Sequence, residues 1–537
     1  MKERIKKIFE ESISIVSFTN TKTERDIEEY IYQYMSEMKY FKQYPNNFGM
    51  KEIPNDVHGR RVNWGLVNSG RKETVILFHH HDTVDIEDYG SLQNIALENE
   101  PLKKELLKMD LPKEIQSDIC SNEWIFGRGS CDMKASLALQ LAVLEEYSKA
   151  ENPKVNVLYL SVADEESYSQ GMRCAITLSA ELKEKFDLEY ILAIDSEPFE
   201  SNSNDVKGLH VGTVGKMMPT IVAQGVVSHI KEPLKGINAI SLLSRIVSKI
   251  DLNPNLYECA KGENSPLPSW SYARDLKEIY DVSTALRAAG YFSVLHLERS
   301  PKEIMEIIYT LCEEAIDEFY DNYVKLQDRF CVEHMIAKPK ILFFEDLMKL
   351  CQEKEGFESF WSQLEQDSAK KLSEGTSYQD ITIDNIQQLL EFYGKKEAII
   401  VLAIAAPYYP ALSSRNVKNS KIEIEKLVQC YADYLKTNYN FSLNVEEYFM
   451  GICDISYCAL EKSLKDYTSV MDSMAVSKSV YDIDFENLNK INIPGINLGP
   501  WGKDLHKFTE RVYEKDVYDT IPNFLLYLLN NIETIKK

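Results

Sequence analysis

The chain has 537 residues, 44% hydrophobic and 27% charged, which is ordinary for a globular protein of more than one domain. Its formal net charge of -23 argues against binding to nucleic acid or to an anionic membrane surface, because both need clustered Lys and Arg. It has no signal-peptide core and no apolar stretch near ~18 residues, and its ten cysteines form no CxxC pair, so we expect a cytoplasmic protein with reduced thiols.

The first elements predicted along the chain are helices over residues 3–39, where apolar residues recur near a 3.6-residue period. Apolar, partly β-branched runs predict buried strands at 74–78, 155–160, 190–194 and 398–404. A helical pattern over residues 132–147 lies between the first two runs. This alternation predicts an α/β fold of three layers around a mostly parallel sheet.

The pattern changes after about residue 207. Residues 211–225 and 288–297 are predicted to be strands, and residues 238–250 and 301–319 helices. We therefore expect an inserted α+β domain over 207–326 within a discontinuous first domain of 1–206 and 327–537. Residues 327–395 are helix-rich and charged, and the sequence indicates no role for them.

His80 and Asp82 lie two residues apart at the end of the first predicted strand, so their side chains point to the same side. This arrangement suits a metal-binding histidine whose other ring nitrogen is held by a carboxylate. His79 and His81 would point the other way. The alternative interpretation is a solvent-exposed loop of consecutive histidines.

Asp132 is predicted where a glycine-containing turn meets a helix. The simplest explanation for an aspartate at this position is that it caps the helix. Gly127 and Gly129 allow close approach of the backbone, which favours a binding site instead. The position alone is compatible with both.

Three carboxylates, Asp164, Glu165 and Glu166, directly follow the second predicted strand. Adjacent acidic residues usually belong to a solvated surface, but these leave a buried strand. Metal cations would relieve their mutual repulsion and keep them ionised. One of the three could then bind metal while its neighbour holds the attacking water.

Two further candidates lie later in the chain. Asp195 ends the third predicted strand and Glu197 follows two residues on; either could be a ligand, and its position at the strand end favours Asp195. His506 lies in a turn-rich stretch that we expect to lead into a helix containing Glu510. A lone histidine there is more often structural, and only the presence of the other candidates makes it a candidate ligand.

Taken together, these segments resemble the co-catalytic zinc metallopeptidase family of glutamate carboxypeptidases, aminoacylases, acetylornithine deacetylases and succinyl-diaminopimelate desuccinylases. The motifs occur in the family's order: HxDTV at 80–84, GRGxxDMK at 127–134, DEE at 164–166 and a glycine-containing stretch ending in a histidine at 499–506. Residues 84–90, the long segment before Gly127 and residues 450–457 look like the branch associated with arginine utilisation and amino-acid degradation.

The resemblance implies a site for two divalent metal ions. His80 and Asp195 would bind one ion, and Glu166 and His506 the other. Asp132 would bridge both. Zinc is the expected metal because it suits imidazole and carboxylate ligands, and manganese or cobalt would also fit.

The resemblance also implies the reaction, which is hydrolysis of a C–N amide bond in a small peptide or N-acyl amino acid. A metal-bridging water would be the nucleophile, Glu165 the general base and Asp82 the residue that orients His80. Two alternatives remain open at this point. The chain could be a metal-binding regulatory or scaffold protein without activity, or a hydrolase of a non-peptide C–N bond on the same scaffold.

Two residues of the predicted insertion complete these expectations. In the family, a histidine in a pattern like that around His229 reaches an active site, often that of the partner subunit, and stabilises the oxyanion. Arg299 lies near where relatives keep an arginine for a substrate carboxylate. The inserted domain thus implies a lid or a homodimer interface. The family's serine-asparagine segment for substrate binding has no clear counterpart before Ala288.

Overall fold

Helices and strands are interspersed along the chain in the computed structural model, which describes residues 1–201, 203 and 205–537. The strands are β1 Phe48–Glu52, β2 Arg61–Val67, β3 Glu73–His80, β4 Trp124–Phe126, β5 Asn156–Val162, β6 Glu189–Asp195, β7 Val206–His210, β8 Gly212–Thr213, β9 Gly215–Gln224, β10 Cys259–Ala260, β11 Glu263–Asn264, β12 Ser269–Asp275, β13 Arg287–His296, β14 Lys340–Phe343, β15 Ile399–Tyr409, β16 Leu412–Ser413, β17 Ser442–Glu446, β18 Gly495–Asn497, β19 Gly502–Lys503 and β20 Arg511–Tyr513. The helices are α1 Lys2–Ile13, α2 Glu24–Glu37, α3 Lys39–Gln43, α4 Asn99–Leu106, α5 Lys113–Ser121, α6 Ala135–Tyr147, α7 Gln170–Phe186, α8 Ala239–Ile250, α9 Pro301–Arg329, α10 Phe344–Gln352, α11 Phe357–Ser373, α12 Tyr378–Tyr393, α13 Ile424–Tyr439, α14 Leu464–Asp472, α15 Phe485–Ile491 and α16 Ile521–Asn530.

The chain divides into two units that differ from the predicted domains. The first unit comprises Met1–Thr213, Leu412–Glu461 and Glu486–Lys537, and the second Val214–Ala411 and Lys462–Phe485. Residues 327–395 therefore belong to the second unit, whereas the sequence placed them in the first domain. The physical reason is that β14 and β15 extend the sheet that contains β9 and β13.

The first unit is built on an eight-stranded mixed sheet of order β1-β2-β5-β3-β6-β18-β7-β17. Its centre is parallel, since β3 pairs in parallel with both β5 and β6, and β18 pairs in parallel with β6. One hydrophobic core packs α1, α2, α6, α13 and α16 against the sheet, and α7 contacts β2 and β5 outside that core. The predicted α/β fold is confirmed, because the apolar runs at 74–78, 155–160 and 190–194 are buried strands between helical layers.

The parallel strands bring three of the sequence motifs to one edge of this sheet. β3 ends at His80, β5 ends two residues before Asp164, and β6 ends at Asp195. Carboxyl ends of neighbouring parallel strands meet at the same edge, where ligand sites of such sheets lie. The fold therefore places these side chains together.

A small sheet of order β19-β20-β4 adds the remaining motifs. β20 pairs antiparallel with β4, with Arg511 opposite Phe126, so the segment that follows β4 lies beside the segment before β20. His506 lies in the loop between β19 and β20. The helix expected after His506 is thus corrected to a hairpin, because the alternating residues Arg511–Tyr513 complete a strand pair.

The second unit has a five-stranded sheet of order β12-β13-β9-β15-β14. Val222, Ala289 and Val401 are register partners on one face and pack in a core with α10, α11 and α12. Side chains alternate between faces, so Ile221 and Ala223 lie on the opposite face. Residues 327–395 thus have a structural role as the helical layer that covers one face of this sheet. In the described part of the chain, no helix is both long enough and apolar enough to cross a lipid bilayer.

Candidate metal centre

Two groups of side chains that could hold a metal ion converge at the edge of the first unit's sheet. One group is His80, Asp132 and Glu166, and the other is His80, Glu165 and Glu197. Within each group, the atoms that could bind a metal lie within 4.8 Å of one another. Imidazole nitrogens and carboxylate oxygens at this spacing are the donor set that zinc, manganese and cobalt accept.

His80 is buried at the centre of both groups. Its Nε2 atom lies 3.0 Å from Oδ1 of Asp132 and 3.4 Å from Oε1 of Glu197. Burial disfavours the charged imidazole, yet the negative charge of Glu197 and the hydrogen bond with Asp132 hold the pKa of His80 well above its ordinary value. This ring nitrogen therefore lies in a pocket of negative charge that favours a cation.

His506 approaches the other oxygen of Asp132. Its Nε2 atom lies 3.2 Å from Oδ2 of Asp132 and 3.0 Å from Oε2 of Glu166, and hydrogen bonds to these two carboxylates raise the pKa of His506 to about 11. Hydrogen bonds from His506 and His80 hold the pKa of Asp132 below its usual range despite its burial. Asp132 thus offers one oxygen to each histidine.

Asp82 holds two parts of the centre in place. Nδ1 of His80 lies 3.1 Å from the carbonyl oxygen of Asp82 and 3.4 Å from its Oδ1. The two carboxylate oxygens of Asp82 accept hydrogen bonds from the backbone N–H groups of Glu165 and Glu166, at 3.1 and 3.2 Å. One buried side chain therefore positions both His80 and the acidic loop after β5.

Glu165 has the surroundings expected of a general base. Burial raises its pKa well above the usual range, and the negative charges of Glu197 and Asp454 raise it further, against the opposing effect of His80. A base is most effective when its pKa is near the working pH, and burial is the usual way to raise that of a carboxylate. Asp454 belongs to the segment 450–457 that the sequence singled out, and it is buried.

Glu197, rather than Asp195, is the acid that approaches His80. Oδ1 of Asp195 accepts a hydrogen bond from the backbone N–H of the adjacent Ser196 at 2.8 Å, and its Oδ2 has no hydrogen-bond partner in the structure. Asp195 belongs to neither ligand group. Both acids lie at the end of the same strand. The acid two positions further on has the longer side chain, and it is the one that reaches the histidine.

Asp164, the first acid after β5, is structural, which the sequence does not indicate. It has a positive φ of 69°, and its Oδ1 accepts a hydrogen bond from Nη1 of the buried Arg60 at 2.8 Å. The same Nη1 donates to Glu24 at 2.7 Å, and Glu24 in turn accepts the backbone N–H of Asp164 at 2.9 Å. This buried network fixes the turn that presents Glu165 and Glu166.

His229 and Arg299 lie in the second unit and are not among the grouped residues. His229 is exposed, and its Nδ1 accepts a hydrogen bond from the backbone N–H of Lys231 at 3.2 Å. Nη1 of Arg299 donates to the carbonyl oxygen of Asn255 at 2.7 Å. Their predicted roles stay predictions.

Comparison with known proteins agrees with the motifs. The model of the family described as Peptidase family M20/M25/M40 matches residues 109–530. Two Bacillus subtilis relatives match nearly the whole chain: YqjN, described as uncharacterized, at 30% identity over 96% of this chain and 93% of its own length, and the protein RocB at 28% over 97% and 93%. A tripeptidase from Staphylococcus aureus has a similar fold, with a TM-score of 0.53, 14% identity and 99% of both chains covered.

Proposed function

The chain belongs to peptidase family M20/M25/M40, a family of metallopeptidases and related hydrolases, and from this premise we propose that it hydrolyses a C–N amide bond with two metal ions. The substrate we propose is a small peptide or an N-acyl amino acid. The observation that carries the proposal is Asp132, whose two oxygens lie 3.0 Å from His80 and 3.2 Å from His506. One carboxylate with His80 and Glu197 on one side and Glu166 and His506 on the other suits a pair of ions.

In the proposed centre, His80 and Glu197 hold one ion and Glu166 and His506 the other, with Asp132 shared. Glu197 replaces the Asp195 of our sequence prediction because its carboxylate lies 3.4 Å from the ring nitrogen of His80. Zinc is the expected metal, and manganese or cobalt would suit the same donors.

The chain's own residues account for the proton transfers. When bound, a pair of divalent ions lowers the pKa of a shared water and polarises the substrate carbonyl. Glu165 takes the proton from the attacking water and gives it to the leaving nitrogen, because this nitrogen must be protonated to depart as a neutral amine. Asp82 holds His80 and the backbone of Glu165 in position during this proton transfer.

The proposal is tested by assaying the purified protein on a panel of dipeptides and N-acyl amino acids with added Zn²⁺, Mn²⁺ or Co²⁺. We expect metal-dependent release of a free amino acid from at least one class. A protein that binds metal but hydrolyses no member would point to a regulatory or scaffold role. Turnover of carbamoyl or amidine compounds alone would point to a non-peptide C–N bond.

The substrate side chain is not determined by the centre itself. The resemblance to the branch associated with arginine utilisation supports an amino-acid derivative from amino-acid degradation. We assign Arg299 to the substrate carboxylate, because a guanidinium group binds a carboxylate in a bidentate manner.

The free state of all ten cysteines, which the structure describes, supports a cytoplasmic location.

We further propose that the second unit mediates a homodimer in which His229 stabilises the oxyanion of the partner's active site. His229→Ala is expected to lower kcat by about 10²–10³-fold, the usual effect of removing one oxyanion donor, with metal content unchanged. The measurements are kcat and metal content by mass spectrometry. His334→Ala, which changes another exposed histidine of the same unit, is the matched control.

Mixing two inactive variants tests whether His229 acts across the dimer. A mixture of His229→Ala and Glu165→Gln subunits contains dimers in which one site has both groups intact. We expect the mixture to be far more active than either variant alone. A mixture that gains nothing, or a protein that stays monomeric in light scattering, would contradict the assignment.

A further inference from the structure

A buried ion pair links two distant parts of the chain beside the metal centre. Nη1 of Arg128 donates to Oε2 of Glu510 at 2.8 Å, and both side chains are at most 2% exposed. Arg128 also donates from Nε to the carbonyl oxygen of Asp85 at 2.8 Å and from Nη2 to Asp88 at 2.7 Å. The pair therefore connects the segment after β3, the segment after β4 and the segment before β20.

The other oxygen of Glu510 faces the backbone of the bridging ligand. Oε1 accepts hydrogen bonds from the N–H groups of Cys131 and Asp132, at 3.1 and 3.3 Å. The carbonyl oxygen of Glu510 accepts the N–H of Gly127 at 3.1 Å. Glu510 thus determines where the backbone of Asp132 lies without contributing a ligand atom.

Glu510 also closes the loop that carries His506. The β19–β20 hairpin is tightened by hydrogen bonds from the N–H of Lys507 to the carbonyl of Asp504 and from the N–H of Glu510 to the carbonyl of Lys507, at 3.0 and 2.9 Å. His506 itself has a positive φ of 60°, and its side chain is 51% exposed. An exposed ligand in a left-handed turn has little packing to hold it, so its position depends on where the loop is attached.

We infer that Glu510, held by Arg128, is a positioning residue that sets the distance between His506 and Asp132, two ligands of the same proposed ion. This inference rests on the proposed function, because it assumes that these residues bind metal. It gives a purpose to a buried charge pair that a hydrophobic core does not need, since apolar residues of similar volume often serve stability as well or better.

The inference predicts an asymmetric loss of metal affinity. In Glu510→Ala, the ion held by His506, Glu166 and Asp132 loses the attachment of two of its ligands, whereas the ion held by His80, Glu197 and the shared Asp132 loses the attachment of one. We expect the first site to weaken by about 10–100-fold, the usual effect of removing a group that orients a ligand, and the second site to weaken less. Calorimetric titration of the metal-free protein with Zn²⁺ measures both steps.

Two further variants separate positioning from folding. Glu510→Gln keeps a carbonyl oxygen that can accept hydrogen bonds from the N–H groups of Cys131 and Asp132. In this variant, the site that Glu510→Ala weakens should therefore keep most of its affinity for Zn²⁺. Arg128→Met removes the guanidinium group that holds Glu510, so it should weaken the same metal site as Glu510→Ala does. Circular dichroism melts of the metal-free variants show whether each is folded, and these three variants keep the test decisive if one of them is not.

The outcomes distinguish this inference from the proposed function. If the unaltered protein binds none of Zn²⁺, Mn²⁺ and Co²⁺, the proposed function fails. If it binds two ions and folded Glu510→Ala and Arg128→Met lose affinity equally at both sites, or at neither, the positioning role is overturned and the proposed function stands. Failure of Glu510→Gln to recover affinity would also contradict the role given to the backbone hydrogen bonds.

Discussion

Glu165→Gln is expected to lower kcat by about 10²–10⁴-fold while leaving metal content and folding unchanged. Glutamine has nearly the shape of glutamate but cannot take a proton, so only the transfer from the attacking water to the leaving nitrogen is lost. Hydrolysis kinetics on the best substrate of the panel, with metal analysis of the same preparation, measure the two effects separately.

The matched control is Glu184→Gln, which makes the same chemical change at an exposed position of α7. It should leave kcat and metal content as they are. Retained activity in Glu165→Gln would remove this residue from the role of base. Parallel loss of metal and activity would instead indicate that Glu165 is a ligand, which its closeness to His80 and Glu197 makes a meaningful alternative outcome.

Asp132→Ala is expected to abolish activity together with metal binding. Asp132 is the proposed ligand of both ions, so its removal weakens the binding of both ions at once. The loss of affinity should exceed the roughly 10–100-fold that follows from removing a group that merely orients a ligand. Equilibrium dialysis against Zn²⁺, followed by mass spectrometry, measures the occupancy of each variant.

Asp132→Asn and Asp110→Ala serve as controls for this prediction. The asparagine keeps the volume and one oxygen of the buried side chain, so it tests whether any loss reflects charge rather than a cavity. Asp110 is exposed in a loop and should be neutral when changed to alanine. Full occupancy by two ions in folded Asp132→Ala would contradict a bridging role.

Much of the fold was predictable from the sequence because its central strands β3, β5, β6 and β15 are buried on both faces. Continuous apolar runs such as Thr74–Phe78 leave little choice except a central strand, and β3 indeed extends from Glu73 to His80. The position of residues 327–395 was not predictable in the same way. Their helices are amphipathic and local, and the pairing of β14 with the distant β15 and the packing of the helices on this sheet place them in the second unit.

The candidate site shows the same distinction between local and distant information. His80 and Asp132 follow from motifs that fold locally, at a strand end and in the turn before a helix. Choosing between Asp195 and Glu197 as the ligand requires knowing how far each side chain extends into the site, and spacing in the sequence does not give this. The partnership of Arg128 with Glu510 joins residues 382 positions apart. No period or motif in a single sequence reports such a contact.

Two ions sharing Asp132 are the central claim, and a crystal structure of the protein with Zn²⁺, measured at the zinc absorption edge, tests it most directly. We expect two anomalous peaks about 3.5–4 Å apart. One peak should lie beside His80 and Glu197 and the other beside Glu166 and His506, with an oxygen of Asp132 bound to each. A single peak, or none among these side chains in zinc-saturated crystals, would contradict it.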